Sequence, residues 1–327
     1  MSNLNKKFPS IIFAGHLAID TIIRFQKEHK DSLGGSVSYC SLALRTYTQE
    51  DNIRIISNLG RFSFIDDSLL DLFKDKNIDL GGIKWSETKN TNFILDYHNN
   101  TRTLTLKSRS PNLDIKDIPQ DYLQNPPDVF VLVPLCNEIS LDYVLAILTK
   151  FPETYIGIDL QGFLRIIDDN GNVSLERNDK IISNMNDIIN FVGDKMIMKG
   201  SEEEMKILAG KKDLYEIMEY FNDLKFKGIS IMTLGEKGSM ITQHGKSLLV
   251  IPAFKPKTVS DETGAGDVYL AIFLHEFMNS DRSWEAIGSA GYIASAAASF
   301  LVEENGPSGF QSREKILERV NSKNYIN

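Results

Sequence analysis

Apolar residues along the chain fall into short β-branched runs and helical periods that take turns. Ile11-Ile12-Phe13-Ala14-Gly15 is a continuous apolar run closed by a glycine, the pattern of a buried strand. Val37, Cys40, Leu44 and Tyr47 then recur at helical spacing, residues 53–59 form a β-branched strand pattern, and residues 68–73 a short helix. Further on, residues 129–133 predict a strand ending at Pro134, 141–148 an amphipathic helix, and 155–159, 196–198, 229–233, 240–242 and 247–251 strands. Residues 284–301 predict a helix whose Gly, Ala and Ser content suits a tightly packed interior. It ends at Asn305-Gly306-Pro307, and residues 312–320 predict a polar closing helix. Strands that alternate with helices predict an α/β fold built on a mostly parallel sheet.

The rhythm breaks once, at residues 92–106. Phe93, Leu95 and Tyr97 alternate with Ile94, Asp96 and His98, and Leu104 and Leu106 alternate with Thr103 and Thr105, so two strands meet at Asn99-Asn100 in a hairpin with one apolar face. A two-stranded hairpin is marginal unless that face covers something. The segment around Asp20 and Arg24 is its candidate sheet partner; the plain reading is an edge hairpin of no special use.

Composition narrows the classes. The 327 residues, 42% of them hydrophobic, can bury a large core, and 44 acids against 36 bases give a net charge of -8, which argues against nucleic acid or an anionic membrane as partner. Two cysteines, Cys40 and Cys136, make no disulfide framework and lack metal-ligand spacing, so a reducing cytoplasm is expected. Residues 1–10 read as a short polar tail with no signal peptide, and no run is long enough to span a membrane. No repeat, low-complexity linker or charge block divides the chain.

The candidate chemistry centres on Asp261-Glu262-Thr263-Gly264-Ala265-Gly266-Asp267, which runs straight into the apolar residues 268–274. Read physically it is a helix start, with Thr263 as N-cap and the amides of Gly264, Ala265 and Gly266 free to hold an anion. Asp267 could be a solvated first-turn acid, which the helix dipole favours. Beside a bound phosphate, however, a second negative charge needs a task, and the economical one is to take a proton from a hydroxyl attacking a phosphoryl group held by those amides. Other phosphate readers are excluded: there is no Gly-x-x-x-x-Gly-Lys-Ser/Thr, Gly264-x-Gly266 lacks the dinucleotide fingerprint's third glycine, and no Gly-x-Ser-x-Gly elbow occurs.

Thr-Gly-Ala-Gly-Asp at 263–267 resembles the C-terminal signature of the PfkB, or ribokinase-like, carbohydrate kinases, and the rest of the chain resembles them too. Gly34-Gly35 stands where that family places a substrate-side Gly-Gly pair, Asp20 where it places a sugar-binding acid, and Gly235 and Gly238 where a Gly-x-x-Gly lies against nucleotide phosphates. Simple turns and a solvent-facing strand residue are the plain alternatives. The family's Asn-x-x-Glu appears here as Ser201-x-x-Glu204, which is equally a capping box. The resemblance implies a ribokinase-like, doubly wound, mostly parallel sheet with a small β lid, one domain over 1–327 with lid segments at about 16–34 and 88–110, and in many members a dimer surface on the lid, hence a homodimer.

The same resemblance implies transfer from ATP with Mg²⁺: Asp267 as base, Gly264, Ala265 and Gly266 as anion hole, Glu204 ordering Mg²⁺ through water, and Ser201, Thr233, Gly235, Gly238 and Thr263 at the nucleotide. Asp261 and Thr263, with Gly306, match positions lining a K⁺ site in many members. Asn137, Asp159, Gln161 and Arg165 follow strand ends, where open α/β sheets bind ligands, and join Asp20, Gly34 and Gly35 as expected substrate contacts. Within the family, Gly15-His16 with Asp20, Leu33-Gly34-Gly35 running into Tyr39-x-Ser41-x-Ala43-Leu44, and Asp159-x-Gln161-Gly162-Phe163-x-Arg165 resemble the archaeal-type inositol kinases. That implies a cyclic polyol such as myo-inositol. Ribose or a nucleoside, whose base would stack on Phe93, Tyr97 or Phe163, is the alternative inside the family, and a non-catalytic sugar-binding regulator the alternative outside it.

Overall fold

The computed structural model of the chain describes residues 8–24, 27–61, 68–98 and 101–326. Its strands are β1 (Ser10–Ala14), β2 (Ala18–Arg24), β3 (Lys27–Gly34), β4 (Asn52–Gly60), β5 (Asp79–Ser86), β6 (Asn92–His98), β7 (Thr101–Ser108), β8 (Val129–Leu132), β9 (Tyr155–Asp159), β10 (Arg165–Ile167), β11 (Val173–Leu175), β12 (Met196–Ser201), β13 (Ile229–Thr233), β14 (Ser239–Gln243) and β15 (Leu249–Ile251). The helices are α1 (Ser36–Tyr47), α2 (Ser68–Asp75), α3 (Gln120–Gln124), α4 (Leu141–Lys150), α5 (Gln161–Leu164), α6 (Asp179–Val192), α7 (Glu202–Ala209), α8 (Leu214–Asn222), α9 (Ala265–Met278), α10 (Trp284–Leu301) and α11 (Arg313–Ser322).

Nine strands form the main sheet in the order β15-β14-β13-β12-β9-β8-β1-β4-β5, parallel except for the pairings of β14 with β13 and β15. Alternate residues of the central strands feed two cores. Ile11 and Phe13 point into the one shared with α1, α9 and α10, and Ile12 and Ala14 into the one shared with α4, α6 and α8. With both faces covered, a strand such as β1 must be apolar throughout, which is why it reads as a continuous run. From β1 the chain builds outward through β4 and β5 on one side and through β8 and β9 on the other, so the sheet's switch point lies at β1 and β8. The crevice beyond their carboxyl ends is where such sheets bind ligands.

The hairpin expected at 92–106 forms, and β2 is its partner: β2 pairs with β6 in parallel and β6 with β7 antiparallel, while β3 completes a four-stranded sheet in the order β3-β2-β6-β7. Phe93 and Leu95 on its inner face pack with Ala18, Leu135 and Cys136, supported by Leu104 and Leu106, so the apolar face covers the crevice. The Asn99-Asn100 turn, the Tyr97 side chain and the polar tail at 1–7 lie outside the described residues. β3 carries the polar sequence Lys-Glu-His-Lys-Asp-Ser, a pattern without an apolar face that an edge strand tolerates and periodicity does not announce.

Helix starts differ in a way that matters for the site. Ser140, Asn178, Ser201, Asp213 and Ser283 cap their helices through side-chain oxygens. α1 and α9 instead start on Gly35 and Gly264, with φ of 90° and 83° and no side-chain cap. Thr263 is therefore not the N-cap. The left-handed turn falls one residue later, at a position where a Cβ would lie 2.0 Å from the Tyr39 ring.

Candidate active site

The two glycine-started helices open into one cavity of about 310 Å³ at the carboxyl ends of the strands. Its polar side comes from well-separated parts of the chain: Asp20 from β2, Gly35, Ser36 and Tyr39 from the start of α1, Gln161 and Arg165 after β9, Lys199, Ser201 and Glu204 at the end of β12, Thr233 from β13, and Gly264, Gly266 and Asp267 at the start of α9. Phe93, Leu95 and Leu104 of the small sheet, with Leu135, make an apolar wall opposite these polar groups.

Asp267 is the electrostatic centre. Its carboxyl is buried in the first turn of α9, and burial, with the charge of Asp159 added, lifts it from an ordinary 3.8 to about 7. Lys199, the Ser36 hydroxyl and Arg165 pull the other way. A carboxyl poised near neutrality and facing a cavity can accept a proton at working pH, whereas a solvated first-turn acid would show no such rise. At the mouth of the helix, the Ala265 amide closes onto the Glu262 carbonyl at 3.2 Å. The expected three-amide nest is thus two amides in this state: those of Gly264 and Gly266 have no partner among the described residues.

Lys199 was not anticipated from the sequence, where it looks like an ordinary residue before a helix. Its ammonium is buried and paired with Asp159 at 2.7 Å, with Oδ2 as acceptor. Burial opposes its charge, but Asp159, Glu204 and Asp267 around it hold its pKa above the usual lysine value. Asp159 itself is fully buried and does not line the cavity; its other oxygen accepts the Gln161 amide at 3.2 Å. It was expected as a substrate contact; its carboxylate is taken by the β12 lysine and does not reach the cavity.

Asn137 is also displaced from its expected role. Its side chain donates to the carbonyls of Gly162 at 2.8 Å and Arg165 at 3.1 Å, and pins the turn that carries Gln161 and Arg165 instead of facing the cavity. Gly34 is buried beneath Asp20, where a Cβ would meet Oδ2 at 1.9 Å, so it seats that acid while Gly35 lines the cavity. Arg165 donates to the Leu135 carbonyl at 2.9 Å, and Gln161 accepts from the Ser36 hydroxyl at 3.3 Å. His16 is a buried pin, its ring bonded to the Pro111 carbonyl and the Thr91 hydroxyl, each at 2.8 Å.

The capping box at Ser201 and Glu204 is present, with the Ser201 amide donating to Glu204 Oε2 at 2.7 Å and the Glu204 amide to Ser201 Oγ at 3.3 Å. Glu204 nevertheless lines the cavity, and burial and Asp159 raise its carboxyl. Among the described residues this cavity holds no cluster of three metal-ligating side chains. A magnesium ion would fit here only with phosphate oxygens completing its shell, which is how that ion usually binds. Asp261 Oδ1 accepts the Thr263 amide at 3.0 Å, fixing the approach to α9.

A second cavity of about 290 Å³ lies on the other side of the α9 start and shares Thr233, Glu262 and Gly266 with the first. Gly235 and Gly238 line it, and Phe254, Pro256, Val259, Ala298 and Val302 make it apolar. A polar chamber and an apolar one meeting at a helix N-terminus suit two reactants joined through an anionic group.

A family model described as pfkB family carbohydrate kinase matches residues 162–313, which carry Lys199, Glu204 and the whole 261–267 segment. The matched stretch is a little under half of the chain, and the likeness to that family lies there. A nucleoside kinase of Methanocaldococcus jannaschii is 37% identical over 91 residues, a stretch covering 28% of each chain. Among solved structures, a pyrophosphate-dependent kinase in the ribokinase family, complexed with a pyrophosphate analog and myo-inositol, aligns at a TM-score of 0.73 and 19% identity over 94% of this chain and 99% of its own. A Vibrio cholerae fructokinase double mutant in a fructose, ADP and potassium ion bound form aligns at 0.76 and 16% identity over 97% and 99%. At such identities the likeness is one of fold, and it makes the architecture ribokinase-like: a large, mostly parallel sheet flanked by helices, with a small second sheet.

Proposed function

We propose that the chain is a phosphotransferase that moves the γ-phosphoryl group of ATP to a hydroxyl of a small cyclic polyol of the myo-inositol type. The observation that carries this is Asp267: a buried carboxyl held near pH 7 at a helix N-terminus where a polar chamber and an apolar one meet. In this reading Asp267 takes the hydroxyl proton as the oxygen attacks, and the amides of Gly264 and Gly266 with the α9 dipole hold the phosphoryl oxygens. Mg²⁺ supplies charge neutralisation on the phosphates, with Glu204 on the protein side. Asp261 and Thr263 offer a K⁺ its place beside α9. Residues 1–327 would act as one domain in the cytoplasm, the small sheet serving as lid and its outer face open to a second copy.

The second cavity supports a nucleotide over bare pyrophosphate as donor, because an apolar wall of Phe254, Pro256, Val259 and Ala298 gains nothing from an inorganic anion. The first cavity supports a polyol. Asp20, Gln161, Arg165 and Ser36 form a polar wall suited to a ring of hydroxyls, while Phe93, Leu95 and Leu104 face its C–H surface. A nucleoside is the second reading, favoured by the M. jannaschii relative and by Phe93 as a stacking surface. A binding-only regulator has no use for a base of this pKa.

The test is kcat/KM across myo-inositol, ribose, fructose and nucleosides with Mg-ATP. A buried polar group left unpaired costs about 1 to 3 kcal/mol, so myo-inositol should exceed a deoxy analogue by roughly ten- to a hundredfold. A higher kcat/KM for ribose or any nucleoside than for myo-inositol would remove the polyol assignment and leave the kinase.

A further inference from the structure

Strands β10 and β11 form a two-stranded sheet of their own, outside the main sheet and the small one. This hairpin leaves the first cavity at Arg165, whose guanidinium lies 5.7 Å from the centre of the Phe93 ring on the small sheet. Its turn is framed by Asp168: Oδ1 accepts the amides of Asn170 at 2.9 Å and Asn172 at 2.8 Å, and Oδ2 accepts the Asn172 side chain at 2.9 Å. That frame turns Gly171, at φ 84°, onto β7, the edge strand of the small sheet. There the Leu106 amide donates to the Gly171 carbonyl at 2.7 Å, and Thr105 forms an isolated antiparallel bridge with Asn172. A Cβ at residue 171 would lie 2.3 Å from the Leu106 carbonyl oxygen, so the approach needs glycine. Beneath it, Ile167 and Val173 pack on the cluster that holds Phe93 and Leu95.

The small sheet joins the rest of the chain along one end: β2 starts at Ala18, β3 ends at Gly34, β6 starts at Asn92 and β7 ends at Ser108, and the strand register sets these residues side by side. A sheet attached along one end can swing about it. Beyond that end, where Leu106 faces Phe93 and Leu104 faces Leu95, the hairpin holds β7 by one backbone bond and one bridge. A full ladder would lock the two together; a lone bond beside an exposed turn opens at little cost. Resting on the reading of the first cavity as an acceptor chamber beneath a lid, we propose that the β10–β11 hairpin is a releasable clasp on that lid. Gly171 is its positioning residue, holding the wall of Phe93, Leu95 and Leu104 down on the acceptor. One hydrogen bond of this kind shifts the balance of closed and open forms by a few-fold to about tenfold, enough to favour closure and too little to prevent opening. Because the hairpin starts at Arg165, one unit carries both a polar group of the chamber and the hold on its apolar wall.

The test sets wild type beside Gly171→Ala and beside a variant that pairs Thr105→Cys with Asn172→Cys. The bond runs between the neighbours of residues 105 and 172, and facing Cα atoms at such antiparallel positions lie about 4.5 Å apart, within disulfide reach. Gly171→Ala should raise the KM of the best acceptor about five- to tenfold, leave the KM for ATP and kcat within about threefold, and speed hydrogen exchange of the β7 amides relative to those of β8. The paired-cysteine variant, oxidised with diamide, should lose at least about tenfold in kcat and recover it in dithiothreitol, since a lid that cannot lift neither admits acceptor nor releases product. An unchanged acceptor KM in Gly171→Ala, an equal rise in both KM values, or full turnover of the disulfide form would make the hairpin a fixed strut and overturn the clasp. Failure of the disulfide to form would overturn it too, because the two residues would then not meet. If wild type phosphorylates no acceptor, the acceptor reading has failed on its own. The clasp is then judged by exchange alone, and β7 must exchange faster relative to β8 in Gly171→Ala for it to stand.

Discussion

Asp267→Asn should abolish turnover and stabilise the protein in the same stroke. The fold holds this carboxyl at about 7 against an ordinary 3.8, so the proton is bound more tightly in the folded state than in the unfolded one. Stability is then fully present below about pH 4 and is lost as pH rises through 7, where the folded protein must keep an ionised group in a buried place. A difference of about 3 pH units at about 1.4 kcal/mol each makes that cost about 4 kcal/mol at pH 8. At pH 5 under half of it has accrued, less than about 2 kcal/mol. Asparagine keeps the shape and the Ser36 contact but carries no charge, so the variant should be the more stable by those amounts. Its kcat should fall by on the order of 10² to 10⁴, the usual worth of a positioned base. Urea unfolding of both proteins at pH 8 and pH 5, beside steady-state rates, reads all of this. A variant less stable than wild type at pH 8, or a stability difference equal at the two pH values, would refute the placement of an ionised Asp267 in a desolvated site.

Gly264→Ala forces a Cβ into the Tyr39 ring at a residue with φ 83°, and should cost at least about 2 kcal/mol in unfolding free energy together with most of the turnover; a stability within experimental error of wild type would contradict the close approach. Glu204→Gln preserves the capping box, because the amide oxygen can still accept the Ser201 N–H, but removes the charge. The apparent Mg²⁺ requirement should therefore rise by about tenfold with little change in Tm, whereas an unchanged Mg²⁺ requirement with a lowered Tm would leave Glu204 a cap alone. Ala298→Trp fills the second cavity and should raise the KM for ATP at least about tenfold while the acceptor KM holds; an equal rise in both would mean that the nucleotide does not sit there.

Much of this was legible in the chain. The apolar runs and helical periods located the central strands and helices because strands covered on both faces must be apolar, and the 261–267 segment announced a helix start with an acid in its first turn. What escaped was decided by tertiary neighbours. Asp159 reads as a substrate ligand until β12 places Lys199 beside it, and Asn137 until its amide is found holding the turn at 162–165. Lys199 has no periodicity or motif to mark it; a lone lysine ending an apolar strand and followed by Gly200 was the available signal. The apolar chamber is assembled from residues as distant as Thr233 and Ile326, each of which looks like ordinary core or loop in sequence. The N-cap of α9 fell at Gly264 and not Thr263, since the left-handed residue there must clear Tyr39 and only glycine does.

Phosphoryl transfer from ATP to a small hydroxylic acceptor, with Asp267 as base, is read out by label transfer. Wild-type protein and Asp267→Asn are each incubated with Mg²⁺ and ATP labelled at the γ-phosphorus, with myo-inositol, ribose, fructose and nucleosides supplied singly. The expected result is label in a phosphate ester of at least one acceptor with wild type, most in myo-inositol phosphate, and a loss of on the order of 10² or more in its rate of formation with the variant. No labelled ester from any acceptor, in a protein whose Tm those same acceptors raise, would contradict it and leave a binding protein in a kinase fold.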